Sequence, residues 1–508
     1  MDPDADPNQP GTLDRPVFAT SLVALLLAAI MLALAPEHSA SFIEASYEAI
    51  ATHLAPAYLW SAVLTLGLLG ALAFGSHGDV TLGDPSEREF SNFSWFSMLF
   101  CAGIASGLLY WGTIEWASYF TAPPFGAEPR SDAAIAWATS YPLFHWGFPG
   151  WGFYALTTLA VGHAVYVRGE KSFRIGRACR PVIGRHADGA LGRAIDVLFI
   201  VGLLGGASTS LGLAPPMIAA GLAHLTSGEP TFAWSVGVIL ACAAIFAASV
   251  YVGLDRGIRR LSDWNMATSL ALVLFVLVVG PTLFILKMGT ASIGHMLQHF
   301  VQMSFWTDPV QNTRFVEDWT VFYWAWWISY APFVGMFVAR ISRGRSVREV
   351  IVGMLFLGSG GAWIYMIVLG NYALWAELTG VVPVLSILEA QGTPAAIVAV
   401  IASLPFGAAS LVAFCVIALI YLATTFDSAA YTLAAGATRE LEAGAHPERW
   451  HRMFWAIAIA GLPIGLMAIG GLRSLQLASL VGSVPLLGVG VVLAVSLVRG
   501  LHASSRRS

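Results

Sequence analysis

The stretch Tyr323-Trp324-Ala325-Trp326-Trp327-Ile328-Ser329-Tyr330 carries five aromatic rings in eight residues. At helical spacing Trp326, Tyr330, Phe333 and Phe337 share one side, with Trp327 beside them. A second group, Trp146, Trp151 and Tyr154, is interrupted by Pro149 and Gly150. Facing indole and phenol rings without a nearby carboxylate suit a quaternary ammonium group, which has no N–H to donate and is attracted by ring quadrupoles. The competing reading is that large rings pack a core or anchor a membrane interface.

The elements that carry these rings are apolar. Of 508 residues, 57% are hydrophobic and 11% charged, against about 25% charged in a soluble domain. Mean hydropathy is +0.71. These values exclude a disordered chain and a basic nucleic-acid binder, and they argue against a soluble enzyme. The four cysteines form no CxxC pair, so neither a disulfide framework nor a zinc site is indicated. A spanning helix needs about 20 mostly apolar residues. Runs of that kind occupy 17–35, 56–75, 95–118, 136–166, 194–223, 232–253, 264–288, 318–341, 348–372, 406–437, 453–470 and 476–498, which predicts an all-α integral membrane protein with twelve transmembrane helices. Residues 384–404 read as a surface or re-entrant helix. The polar tail 1–16 has no basic lead into a cleavage site, so the first span is expected to stay as an anchor. With the N-terminus inside, 22 Lys and Arg fall on inner segments and 4 on outer ones. The positive-inside rule then places both termini, including the short tail 499–508, in the cytoplasm.

Two spans are interrupted. The third contains Ala102-Gly103-Ile104-Ala105-Ser106-Gly107, and the eighth contains Ala331-Pro332-Phe333-Val334-Gly335. Freed carbonyls are tolerated at membrane depth only where they meet protein or line a cavity. Gly103, Gly107, Pro332 and Gly335 therefore read as helix-break or gating positions. The interruptions lie five spans apart, so helices 3–7 (95–288) and 8–12 (318–498) read as two repeats, the second inverted, after two peripheral helices within 17–75. Paired interruptions point to a transporter site at the midplane, whereas the plainer reading is close helix packing through glycine. Intramembrane acids are costly and usually functional. Asp427 stands out, in Thr424-Thr425-Phe426-Asp427-Ser428, and its other reading is a backbone partner within the bundle. Glu115 and Asp196 sit at span ends, where an interfacial position suffices.

Trp319 to Tyr330, running on to Ala339-Arg340-Ile341-Ser342-Arg343-Gly344-Arg345, resembles the signature of the betaine/choline/carnitine transporter family. So do Phe144-His145-Trp146-Gly147, Thr209-Ser210-Leu211-Gly212-Leu213, Gly280-Pro281-Thr282 and the Thr424–Ser428 stretch. The resemblance implies a twelve-helix fold with two inverted five-helix repeats after two extra helices, assembled as a homotrimer in the cell inner membrane. It places an aromatic substrate box on Trp146, Trp151, Tyr154, Trp326, Trp327, Tyr330 and Phe337. Tyr330 departs from the Trp of betaine symporters and resembles the carnitine exchangers, as does Thr121-Ala122-Pro123-Pro124-Phe125-Gly126.

The resemblance also implies a sodium ion between the third and tenth helices, at Cys101, Ile104, Thr424 and Thr425, with Phe333 nearby. Hard oxygens are what such a cation takes. Both threonine hydroxyls are present, and Val334 replaces the Met of sodium-independent exchangers. Arg259 points the other way, since exchangers carry an arginine there in place of sodium, but it also fits a solvated cytoplasmic turn. Choline carriers have an aspartate near Ser106, and its absence favours a betaine-like zwitterion. The expected function is sodium-coupled symport of a quaternary-ammonium zwitterion. A sodium-independent carnitine or betaine exchanger and a choline carrier are the alternatives within transport, and sodium is the only ion or cofactor expected. No GxxxxGK[ST] loop indicates ATP coupling, and the short tails argue against a tail-based osmotic switch. An integral membrane enzyme would need converging titratable or metal-binding groups, and His145 stands alone. A channel would need a pore lined by repeated polar groups.

Overall fold

The protein is described by a computed structural model covering residues 12–102, 105–252, 255–439, 441 and 447–505. Among the described residues the regular elements are helical, joined by two isolated antiparallel bridges, Leu13 with Thr438 and Thr81 with Ser346. A chain this apolar can satisfy its backbone away from water only within its own helices.

Two long helices lead, α1 (Arg15–Leu34) and α2 (Pro36–Phe74). Then come α3 (Asn92–Ala102), α4 (Ala105–Thr121), α5 (Asp132–His145) and α6 (Phe148–Tyr166). The short α7 (Ile175–Ala178) and α8 (Arg180–Ile183) lead to α9 (Ala190–Leu225), α10 (Phe232–Val252), α11 (Asp255–Val279) and α12 (Thr282–Phe305). A π-helical turn, Val316–Val321, opens α13 (Phe322–Ile341). Next, α14 (Val347–Val352), α15 (Ser359–Tyr365) and α16 (Asn371–Leu378) are joined by two further π-helical turns into one rod. Last are α17 (Val384–Gln391), α18 (Thr393–Ala402), α19 (Gly407–Gly436) and α20 (Arg449–Ser505). In the most apolar 18-residue stretch of Val316–Ile341, 94% of the residues are buried, against 17% in that of α1, so α13 is the axis of the bundle and α1 lies at its edge. The most extensive packing of α13 is against α6, α9 and α20.

Among the described residues, eight helices are long and apolar enough to cross a membrane, and a ninth if Trp264–Val279 and Thr282–Phe305 count as one span. These eight coincide with the runs at 17–35, 56–75, 194–223, 318–341, 348–372, 406–437, 453–470 and 476–498. The remaining runs differ in instructive ways. The run 264–288 bends by 110° where Gly280-Pro281 removes a backbone donor. The run 136–166 is divided at Trp146-Gly147, because Pro149 starts a new helix in its first turn. The run 384–404 is two short helices rather than one. Residues 453–470 and 476–498 lie on one continuous helix of 57 residues. Within it, Arg449–Ile469 and Gln476–Ser504 are two separate stretches that are each long and apolar enough to cross a membrane.

The expected interruption of the eighth span is corrected. α13 continues unbroken through Pro332 and Gly335. Its irregular backbone is instead the π-helical turn at Val316–Val321, before the aromatic stretch. Gly335 serves packing, since a Cβ there would lie 2.6 Å from Cγ2 of Thr157 on α6. Of the expected interruption of the third span, Ala102 to Gly107, residues Gly103 and Ile104 lie outside the described residues. Gly107 is buried in α4.

Candidate functional site

The rings of α13 meet those of α5 and α6 at the bundle axis. Trp326 and Trp327 stack with centroids 5.0 Å apart and planes within 11°. Trp146, at the α5–α6 break, stands edge-on to both, at 5.8 and 4.9 Å. Tyr154 is edge-on to Trp327 at 6.1 Å, and Trp151 to Tyr154 at 5.6 Å. Tyr330 follows Trp326 at 6.5 Å, and its hydroxyl donates to Ser210 Oγ at 2.8 Å. These six side chains are all buried. Phe337 stands apart from them. It is 36% exposed, and no ring contact joins it to this cluster among the described residues.

The break between α5 and α6 holds the cluster in place. The Trp327 indole N–H donates to the backbone carbonyl of His145 at 2.8 Å, a carbonyl freed by the helix end. A Cβ at Gly150 would lie 2.8 Å from the Trp327 ring, so glycine there admits the indole. Two donors of the cluster, Tyr154 Oη and Trp326 Nε1, are buried without a partner among the described residues, as is Ser106 Oγ. A buried unpaired donor costs about 1–3 kcal/mol, which a bound acceptor would offset.

The sequence reading missed one member. Glu115, taken as a span-end acid, is fully buried on α4. It accepts from Trp146 Nε1 at 2.9 Å, from the Tyr323 hydroxyl at 2.6 Å and from the Tyr119 hydroxyl at 2.7 Å. The Tyr323 ring lies 5.7 Å from Trp327 and 5.9 Å from Trp146. The expectation of rings without a nearby carboxylate is therefore overturned. The available signal was an acid inside a span, one turn before Tyr119. His145 belongs to the same group, with Nδ1 3.0 Å from the Tyr119 hydroxyl and Nε2 3.1 Å from the Thr320 hydroxyl.

The proposed ion ligands are only partly described. Ile104 lies outside the described residues, as does the Cys101 side chain. Thr424 and Thr425 are neighbours on α19, and both hydroxyls donate to the Tyr421 carbonyl, at 3.0 and 2.8 Å. Phe333 is buried on α13, edge-on to Tyr330 at 5.7 Å. Asp427 accepts from Arg452 at 3.3 Å. Arg259 is in the first turns of α11, and its side chain lies outside the described residues. Asp196 is buried within the protein, bound to Arg174 at 2.6 Å and to the Gly176 N–H at 2.9 Å. Among the described residues no group of three or more His, Cys, Asp and Glu is arranged to hold a metal.

The chain matches the family model described as BCCT, betaine/carnitine/choline family transporter, over residues 16–506. It is 36% identical over 440 residues to an uncharacterized transporter, YeaV, of Escherichia coli strain K12, covering 86% of this chain and 91% of that one. It is 33% identical over 489 residues to a carnitine transporter of Acinetobacter baumannii, covering 96% and 89%. It is 31% identical over 493 residues to a glycine betaine transporter of Acinetobacter baylyi, covering 97% and 74%. A buried aromatic cluster at the axis of a helical membrane bundle, together with these matches along nearly the whole chain, makes the protein a multi-pass membrane transporter, not an enzyme, belonging to the betaine/carnitine/choline family.

Proposed function

We propose that the chain is a secondary active transporter of a quaternary-ammonium zwitterion of the glycine betaine type, driven by sodium through alternating access. The observation that carries this reading is the buried cluster of Trp146, Trp151, Tyr154, Trp326, Trp327 and Tyr330. Its ring faces suit a trimethylammonium group. Its unpartnered donors, Tyr154 Oη and Trp326 Nε1, suit a carboxylate on the same molecule. Thr424 and Thr425 are the sodium ligands in this reading, with Cys101, Ile104 and Phe333 completing the site. Twelve spans with two inverted repeats (95–288 and 318–498) after two peripheral helices, a homotrimer in the inner membrane, and cytoplasmic termini belong to the same proposal.

Tyr330 and the carnitine transporter relative favour a second reading, sodium-independent exchange of carnitine-like compounds. Uptake of radiolabelled glycine betaine into proteoliposomes, with and without an inward sodium gradient, separates the two. Accumulation that needs the gradient supports symport and makes Thr424 and Thr425 the next targets. Uptake that ignores sodium and requires internal substrate supports exchange and turns attention to Arg259. Trp327→Leu is expected to lower substrate affinity by tenfold or more, about 1.4 kcal/mol, at unchanged expression. Unchanged uptake in that variant removes the aromatic cluster from the argument.

A further inference from the structure

We propose that Glu115 is the counter-charge of the aromatic site, and that its carboxylate sets the preference of the carrier for a cationic over an uncharged head group. This rests on the reading of the cluster as a quaternary-ammonium site. Among the described residues the carboxylate reaches the cluster through the Trp146 indole N–H at 2.9 Å and through the hydroxyl of Tyr323, at 2.6 Å, whose ring packs beside Trp146 and Trp327. It acts through those rings and is a positioning residue.

The hydrogens around it can be assigned one by one. An indole N–H only donates, and a phenol has one hydrogen to give. Trp146, Tyr323 and Tyr119 all direct theirs to Glu115, which suits an ionised, acceptor-only carboxylate. Tyr119 has then no hydrogen left for His145, so His145 Nδ1–H donates to the Tyr119 oxygen. His145 Nε2 is left to accept from the Thr320 hydroxyl. With the carboxylate ionised, a neutral imidazole accounts for every hydrogen. Among the described residues His145 is the one basic side chain within 4 Å of Glu115, with Nδ1 3.5 Å away. Tyr141 also packs on this group, 5.2 Å from the His145 ring, and brings no charge. The carboxylate charge is thus not cancelled by the side chains that enclose it.

An uncompensated buried anion at membrane depth is expensive. A trimethylammonium group on the far side of Trp146 and Tyr323 supplies the missing cation. Donating to an anion also raises electron density on the indole and phenol rings, which strengthens their attraction for a cation. A zwitterion carries its own negative charge to Tyr154 and Trp326, so Glu115 gives a net cation such as choline a place in the same site. The missing aspartate at Ser106 does not exclude it.

The test compares choline with 3,3-dimethyl-1-butanol, its uncharged carbon isostere. Binding to the purified carrier is read by intrinsic tryptophan fluorescence, with glycine betaine as reference. At an effective dielectric of about 20–40, a unit charge roughly 7 Å away changes affinity by about tenfold or more. Wild type is expected to prefer choline over the isostere by at least that factor. Glu115→Gln should cut the preference about tenfold, and Glu115→Asp, which keeps the charge, should retain it. A merely structural role would weaken both ligands together and leave the ratio alone. An unchanged ratio in Glu115→Gln, with glycine betaine still bound, overturns the inference and leaves the proposed function standing. A wild type that binds neither glycine betaine nor choline removes the proposed function and the inference with it. Should Glu115→Gln not assemble, a wild-type preference under about threefold overturns the inference, and a larger one retained in Glu115→Asp supports it.

Discussion

The aromatic cluster depends on residues that carry no ring. Gly150 lies against the Trp327 indole, and Trp327 has nowhere to go, because it stacks on Trp326 and bonds the His145 carbonyl. Gly150→Ala would place a methyl 2.8 Å from that ring. Overpacking of this kind typically costs 1–3 kcal/mol, so affinity for glycine betaine in tryptophan-fluorescence titrations should fall by about tenfold. Gly67→Ala on α2, with no atom within 4 Å of the added carbon, should leave affinity unchanged. Equal effects would mean that Trp327 is not held as described. The rings themselves were legible in the sequence, because six of the seven residues chosen for the box converge. Phe337 did not follow, for a geometric reason. It shares the angular face of Trp326 but lies three turns, about 16 Å, further along the helix, where the bundle no longer covers it. Glu115 was visible as an acid in a span, but nothing in the sequence says that α4 turns it toward Trp146 and Tyr323. That is a tertiary fact.

At the scale of elements, glycine and proline mark irregularity without saying which kind. Gly280-Pro281 bends two helices by 110°, and Trp146-Gly147 before Pro149 divides α5 from α6. Pro332 does neither, because the turn of α13 around it, Ser329 to Met336, is buried, and packing outweighs one lost backbone bond. Pro332→Ala should therefore be tolerated, with thermal stability unchanged or slightly raised and glycine betaine uptake retained. Gly335 is the sensitive position on that turn. A methyl there meets Cγ2 of Thr157 at 2.6 Å and the Thr158 backbone nitrogen at 3.0 Å. Gly335→Ala should wedge α13 from α6 and destabilise the fold by about 1–3 kcal/mol, read as a lower unfolding temperature in detergent. If Pro332→Ala abolishes uptake while Gly335→Ala is silent, the interrupted-helix reading of the eighth span regains its ground.

At the scale of the whole molecule, the segment before α1 ties the start of the chain to two distant helices. Leu13 bridges Thr438, the Asp14 N–H donates to the Ala437 carbonyl at 2.8 Å, and the Arg439 N–H donates to the Thr12 carbonyl at 2.9 Å, all at the end of α19. The Asp14 side chain is buried and pairs with Arg174 at 2.9 Å, and Arg174 in turn holds Asp196 on α9. The sequence showed each of these residues only as a polar flank or an inner-side charge. Their pairing joins positions 14, 174 and 196, which no local pattern relates. Removing one partner of a buried pair typically costs 3–5 kcal/mol, since the other charge stays buried without it. Here Asp196 still holds Arg174, so Asp14→Ala is expected near the lower end, about 3 kcal/mol. The pair of Arg180 with Asp188 is a control at the same face of the protein. Arg180 holds the Asp188 carboxyl below the usual carboxylate range, yet Asp188 is 52% exposed, and exposed pairs are worth about 0–1 kcal/mol. Thermal unfolding in detergent should thus show a clear drop for Asp14→Ala and almost none for Asp188→Ala. Equal, small effects would mean that residues 12–14 merely rest on the bundle. A large drop for Asp14→Ala alone would mean that they bind α9 and α19 into one unit.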